Sequence, residues 1–512
     1  MPSISSNNKR IARNTLYMYA RMILIMLVSL FTVRVVLKAL GAEDYGINNV
    51  VGGIVTMFGF LSTTMSGASM RFFSYELGKN NYDRLSKYFS VTFWCYVILV
   101  FVVFVLAETV GLWFVCTKLV IPANRMDAAL WVYHCSIISF IVNMLAIPYN
   151  SLVLAREKMD LYAYVGIVEV VLKLSVAYLI TVSPYDKLAS YAILMMMTSV
   201  IVSSFYILYD LMKYPESRVK RFWDGKIFKE VFNYSSWSLF GAVALVFRGQ
   251  GINILLNVFF GPIVNASRAI AYQVNGAINT FVNGFTQAVR PQIIKYYAAQ
   301  ENGLMLTLVY RSTRLCFFLI FLLSVPILLE TEYILGLWLG SVNETTVLFT
   351  RLVIIASIVE AVTMPLKGLI SATGNIKYTQ IINGSILIAI LPVSYLFLKL
   401  GYPPETTMII AIISSVLCHI TRVYFSCRLT AMTIAEYAKE TVLPIVVILV
   451  AGSVFSVMVE HLVNGSPLIH FLLVVLLTLL CNSVIIWFAG IKKNEKRMLI
   501  DFMKSKIKRT KI

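Results

Sequence analysis

One feature leaves this chain little choice of fold: apolar runs of roughly 20 residues, each long enough to cross about 30 Å of hydrocarbon as a helix. Fourteen such runs are centred near residues 26, 57, 98, 138, 172, 199, 243, 276, 319, 357, 387, 416, 449 and 478. Inside a bilayer a segment must satisfy its own N–H and C=O groups, so runs of this length specify helices. Composition agrees: 59% of residues are hydrophobic and only 13% charged, against about 25% charged in an average soluble domain. No small-residue cleavage site follows the first run, which therefore reads as a retained span and not as a removed signal peptide. The expected fold class is all-α, a polytopic membrane protein with about 14 transmembrane helices.

The net charge of +19 invites a nucleic-acid reading, and its distribution argues against one. With the N-terminus inside, 32 of the 44 Lys and Arg fall on the inner side, five outside and seven within spans. This positive-inside bias puts both termini in the cytoplasm. Residues 491–512 read as a basic cytoplasmic tail that is solvated or touches lipid headgroups. Seven cysteines lie in or near spans without a CxxC, and four histidines are scattered without metal-ligand spacing. No metal and no other cofactor is expected. Glycine-rich phosphate loops, GxSxG and Asp-x-Asp pairs are absent from the sequence, and the longest inner loop, about 211–231, is too short for a catalytic domain. The outer connections are short too; the segment 330–345 is the most notable and is assigned no chemistry. An enzyme is not expected.

The chain repeats itself. Lys9-Arg10 to Gly41 and Lys229-Glu230 to Gly261 have equal length at an offset of 220. A small-and-polar stripe through Asn49 and Thr56 overlaps, at that offset, one through Tyr272 and Asn279. Further on, Pro148 matches Pro365 and Ala155 matches Ala372 at an offset of 217. A duplicated six-span unit follows. Because each unit holds an even number of spans, the two are parallel repeats. The expected organisation is an N-terminal six-helix bundle over 1–210, a cytoplasmic linker over 211–231, and a second bundle over 232–430. Two extra helices over 431–490 and the tail complete it. Pro148 and Pro365 are expected to kink or end their spans, and the Gly249/Gly251 pair to let the seventh span bend.

The eighth span is apolar except along one face. Arg268, Tyr272, Asn275, Asn279 and Asn283 fall within an arc of about 80° on a helix turning about 100° per residue. Such a stripe has to face other helices or a wet cavity. Seven basic residues lie inside spans: Arg21, Arg34, Lys173, Arg248, Arg268, Arg351 and Lys367; the acids joining them are Glu169 and Glu360. Each charge costs a few kcal/mol or more at the bilayer centre, so the basic surplus needs a reason. Arg34, Arg351 and Lys367 lie near span ends, within snorkelling reach of the interface. Glu169 and Lys173, four apart, share a face. They read as a self-neutralising pair or as an ion-coupling site, and Glu360 as a proton or cation site. Coupling to H+ or Na+ stays open.

The opening KRIARNTLYMYARMILIMLVSLFTVRVVLKALGAEDYGINNVVGGI resembles the start of bacterial polysaccharide exporters of the O-antigen flippase type. FGPIVNASRAIAYQVNGAINTFVNGFTQAVRPQ resembles the opening of their second half. These proteins share a superfamily with multidrug and toxin extrusion transporters and lipid II flippases. The resemblance implies two pseudo-symmetric six-helix bundles around a central cavity lined by spans 1, 2, 7 and 8. It implies alternating access that moves a polyprenyl-pyrophosphate-linked oligosaccharide from the inner to the outer leaflet of the bacterial cytoplasmic (inner) membrane, for O-antigen, capsule or exopolysaccharide synthesis. Arginine's planar fork matches phosphate oxygens, so Arg21, Arg248 and Arg268 are the expected headgroup cations. The polar stripes would bond sugar hydroxyls. The expected partners are that glycan lipid, membrane lipids and other polysaccharide-assembly proteins, around a monomer. The alternative is an ion-coupled drug or cation exporter of the same superfamily, which would want acids in its cavity.

Overall fold

The computed structural model describes residues 58–496 apart from 118, 120, 221, 340–342, 464 and 493–494, together with scattered residues between 17 and 55. Every regular element among them is helical. The chain divides into an N-terminal unit, Asn14–Leu239, and a C-terminal unit whose main part is Phe240–Ile512.

In the N-terminal unit, α1 spans Gly59–Gly78 and α2 Tyr82–Thr117, with a π-turn at Ala107–Gly111. Next come α3 (Ala123–Ala155), α4 (Met159–Val182) and α5 (Lys187–Lys213). Helix starts carry their own caps: Asn81 accepts from the Arg84 N–H at 3.0 Å and Asp186 from the Ala189 N–H at 2.9 Å. A side-chain oxygen here satisfies a backbone donor that the first turn leaves orphaned. The core gathers Val132 and Tyr133 of α3, Ile180 of α4 and Leu188 of α5.

Helix α6 spans Gly225–Phe260. Then come α7 (Pro262–Ala298), α8 (Asn302–Leu329), the short α9 (Thr331–Leu339) and α10 (Glu344–Thr373). The unit ends with α11 (Lys377–Lys399), α12 (Thr406–Leu429), α13 (Ile434–Leu462) and α14 (Pro467–Gly490). One core joins Ile252 and Leu256 of α6 to Ala271, Phe349, Ile390 and Met408. A second sets Phe317 and Phe321 of α8 against Ile448 and Ile486 of the last two helices.

Eleven of the described helices are long and apolar enough to cross a membrane. Helix α7, 37 residues long, is not among the eleven; it is the helix that bears the polar stripe. Large apolar side chains face outward along the spans, among them Phe101 at 66% exposure and Val258 at 73%. Between helices the contacts turn small and polar, as expected where lipid removes the hydrophobic drive for helix association. Gly384 lies so close to the Phe240 ring that an added Cβ would fall 2.5 Å from it. Asn482 of α14 donates to Ser456 of α13 at 2.9 Å.

The repeat reappears in the backbone. Gly41 and Gly261, 220 apart, both have φ of +78°. Asn80 and Gln300, also 220 apart, have φ of 55° and 59°; Glu157 and Gly374, 217 apart, have 58° and 77°. Left-handed residues like these close helices by turning the chain back on their last carbonyls. The Asn81 N–H reaches the Glu76 carbonyl and the Glu301 N–H the Tyr296 carbonyl, each at 3.0 Å.

Two local features take definite form. Helices α3 and α10 run past Pro148 and Pro365 to Ala155 and Thr373, so neither proline ends its span. Gly251 is a packing position: a Cβ there would meet the Leu391 side chain at 2.4 Å.

Candidate functional site

The C-terminal unit collects charge in its interior. Arg248 of α6 is 8% exposed and Arg268 of α7 is 5% exposed. Arg248 Nη1 donates to Glu360 Oε1 of α10 at 3.3 Å. The same Glu360 oxygen accepts from Ser415 Oγ of α12 at 3.1 Å. Arg268 Nη1 donates to Asn253 Oδ1, and its guanidinium lies 4.5 Å from the centre of the Tyr272 ring. Its Nε, fully buried, has no hydrogen-bond partner among the described residues. Arg248 therefore has an acid for a neighbour, whereas Arg268 has a neutral amide and a ring face. A ring face attracts a cation without cancelling its charge.

Two more cations belong here. Lys367 of α10 lies within electrostatic range of Arg248, Glu360 and Arg422 of α12. Lys367 is exposed and Arg422 half-buried. The sequence reading sends Lys367 to a span end and does not single out Arg422. Helix α12 runs to Leu429 and keeps Arg422 inside it. Arg248, Lys367 and Arg422 therefore share Glu360, whose side chain is 40% exposed, and Arg268 lies within electrostatic range of Arg248. Such a site has an electrostatic preference for anions, and its arginines offer forks that fit phosphate.

The polar stripe of α7 splits in two. Ser357 Oγ of α10 donates to Asn275 Oδ1 at 2.5 Å, and Asn279 Nδ2 donates to the same oxygen at 2.8 Å. These asparagines are engaged in holding α7 to α10. Tyr272 serves Arg268, and Asn283 is exposed. Asn49 and Thr56 lie outside the described residues.

Arg21 belongs to the N-terminal unit. Its guanidinium lies 4.3 Å from the Tyr162 ring centre on α4. It crosses α4 at Gly166, where a Cβ would come within 2.0 Å of Nε. Lys173 donates to Glu169 at 2.6 Å; with 42% and 30% of their side chains exposed, the two form the local pair that their spacing implies. No group of three or more metal-ligating side chains occurs among the described residues.

Residues absent from the sequence reading are Asn253, Ser415 and Arg422. Asn253 stands 15 positions before Arg268, and Ser415 stands 55 after Glu360. Only Arg422 left a trace, as a basic residue seven positions before the end of an apolar run.

Known structures give the fold its relatives. No family model matches the sequence, and no curated protein does. The chain is similar to a MATE transporter crystallised in complex with MaD3S, at 12% identity and a TM-score of 0.72, covering 83% of this chain and 97% of that one. It is similar to an outward-facing multidrug-resistance MATE family transporter of the MOP superfamily, at 12% identity and a TM-score of 0.71, over 82% and 95%. The fold is MATE-like. A third neighbour is a MOP superfamily transporter from Pyrococcus furiosus, described as having a binding pocket of reverse polarity that suggests a different function (13% identity, TM-score 0.67, 82% and 95% covered). These neighbours are transporters and not enzymes.

Proposed function

We propose that this MATE-like membrane protein is a flippase for polyprenyl-pyrophosphate-linked oligosaccharides. It would move them from the inner to the outer leaflet of the cytoplasmic membrane by alternating access, with both termini inside. Its product would feed synthesis of a surface polysaccharide. The observation that carries this reading is the charge balance of the C-terminal unit, where Arg248, Lys367 and Arg422 lie around Glu360 and Arg268 lies near Arg248. A cationic drug would meet repulsion there, whereas a pyrophosphate would find forked donors. The neighbour of reverse pocket polarity supports a second role for this fold. Drug export by its multidrug-resistance relative keeps the cation-exporter alternative in play.

The test is binding of the purified protein to polyprenyl-pyrophosphate oligosaccharide and to a lipophilic cation, for wild type and for Arg248→Ala/Arg268→Ala. The double substitution is expected to weaken anionic-lipid binding by about 100-fold, roughly 2.7 kcal/mol. Tight binding of the cation, with the anion ignored and both arginines silent, would decide for the exporter.

A further inference from the structure

The last turn of α5 holds a carboxylate that the site above does not use. Asp210 is completely buried, and neither of its carboxylate oxygens has a hydrogen-bond partner among the described residues. Its position compounds the cost: the carbonyl end of a helix is negative and repels an anion. The cation in electrostatic range is Arg156, at the C-terminal end of α3. Arg156 also forms an ion pair with Glu216 in the short helical turn Pro215–Ser217 and lies 4.1 Å from the Tyr214 ring centre, while its Nε is buried without a hydrogen-bond partner among the described residues.

The other titratable groups in electrostatic range of Asp210 are Tyr149 of α3 and Tyr214 of the segment after α5. Glu157, also buried, follows Arg156 in the left-handed turn, and Asp160 in the first turn of α4 is not within range. Two acids, Asp210 and Glu216, thus share one guanidinium. A buried, unpaired carboxylate is costly enough that it takes up a proton or a cation instead. One proton balances Asp210, Glu216 and Arg156.

We propose that Asp210 is a proton-binding site, filled and emptied during transport. The proposal rests on the transporter reading of the fold. The proton comes from the aqueous phase and bonds to a carboxylate oxygen. When it leaves, the Asp210 anion competes with Glu216 for Arg156. Glu216 stands in the connection that leads from α5 into α6, and that connection is tied down elsewhere, the Lys220 N–H donating to Ser90 Oγ at 3.1 Å. The charge on Asp210 is thereby felt by the segment that joins the two repeats.

The experiment is an infrared pH titration of the full-length protein in lipid nanodiscs, without substrate. Wild type is expected to show a protonated-carboxyl band at neutral pH that disappears as pH rises, and Asp210→Asn is expected to lack it. Removing the cation with Arg156→Gln should move the titration to higher pH by about one unit or more. Should Asp210→Asn fail to fold, Asp210→Glu keeps the carboxyl and shifts the band frequency. A band unchanged in these variants, or no such band at any pH, overturns the proposal. A band erased by Na+ at constant pH also overturns it, in favour of a metal-cation site. Because no glycan lipid is present, failure here is separate from failure of the flippase reading.

Discussion

The two units carry matching turns at matching positions and opposite charge in their interiors. In the N-terminal unit the buried cluster at the end of α5 has one guanidinium and two carboxylates, Asp210 and Glu216. In the C-terminal unit Arg248, Lys367 and Arg422 share Glu360, and Arg268 lies near Arg248. Backbone geometry has been held where the turns must close helices, while interior charge has moved apart. The difference teaches that the repeat is a scaffold whose turns are shared while its interior charge is not.

Removing Glu360 should sharpen the contrast most. Glu360→Gln frees Arg248 and makes the cluster purely basic, so binding of a pyrophosphate lipid is expected to tighten by about tenfold, near 1.4 kcal/mol, in calorimetry at fixed salt. Weaker anion binding in this variant would show that Glu360 positions Arg248 for the ligand and does not compete with it. Loss of lipophilic-cation binding instead would favour the exporter.

A smaller effect tests the shared turns. Gln300→Gly removes the strain of a left-handed residue and is expected to stabilise the protein by about 1 kcal/mol. Asn80→Gly should gain less, because asparagine tolerates that conformation better. Thermal melts of the two variants in one detergent compare the halves directly, and a gain at one turn with a loss at the other would break the equivalence.

The smallest effect concerns Arg125, which bridges Asp44 and Asp186 at 2.5 Å each. Burial pushes the Asp186 carboxyl up, but bonds from Arg125 and from the Ala189 N–H outweigh it and leave the carboxyl below its ordinary value. A depressed folded value means that stabilisation is in place above the unfolded pKa, about 3.9, and is lost as pH falls through the folded value. Asp186 is 39% exposed, so Arg125→Gln should cost less than about 1 kcal/mol near neutral pH. That cost should vanish in melts at pH values below the folded carboxyl's own.

Much of the fold was legible because span length and the cost of unpaired backbone in lipid are properties of sequence alone. The apolar runs near 98 to 478 reappear as helices. Arg248 and Arg268 stood out because a cation in an apolar run is costly. The partners were not legible. Glu360 lies 112 positions from Arg248, and only folding brings them together. Asp210 and Arg422 were missed because each sits near the end of a run, where hydropathy cannot separate the last helical turn from the loop. The packing role of Gly251 was not legible for a related reason: a glycine that loosens an isolated helix also lets another helix approach closely, and the sequence does not say which.

The left-handed turns also keep a history. Asn80 and Glu157 are 77 positions apart, and their counterparts Gln300 and Gly374 are 74 apart. If the halves descend from one doubled gene, three residues were gained or lost between these marks. The stretch where the halves differ visibly is narrow. One copy carries its helix through a π-turn at Ala107–Gly111 to Thr117; the other stops at Leu329 and begins the separate α9. A π-turn puts one extra residue into a helical turn, so it absorbs part of that difference in length without breaking the helix.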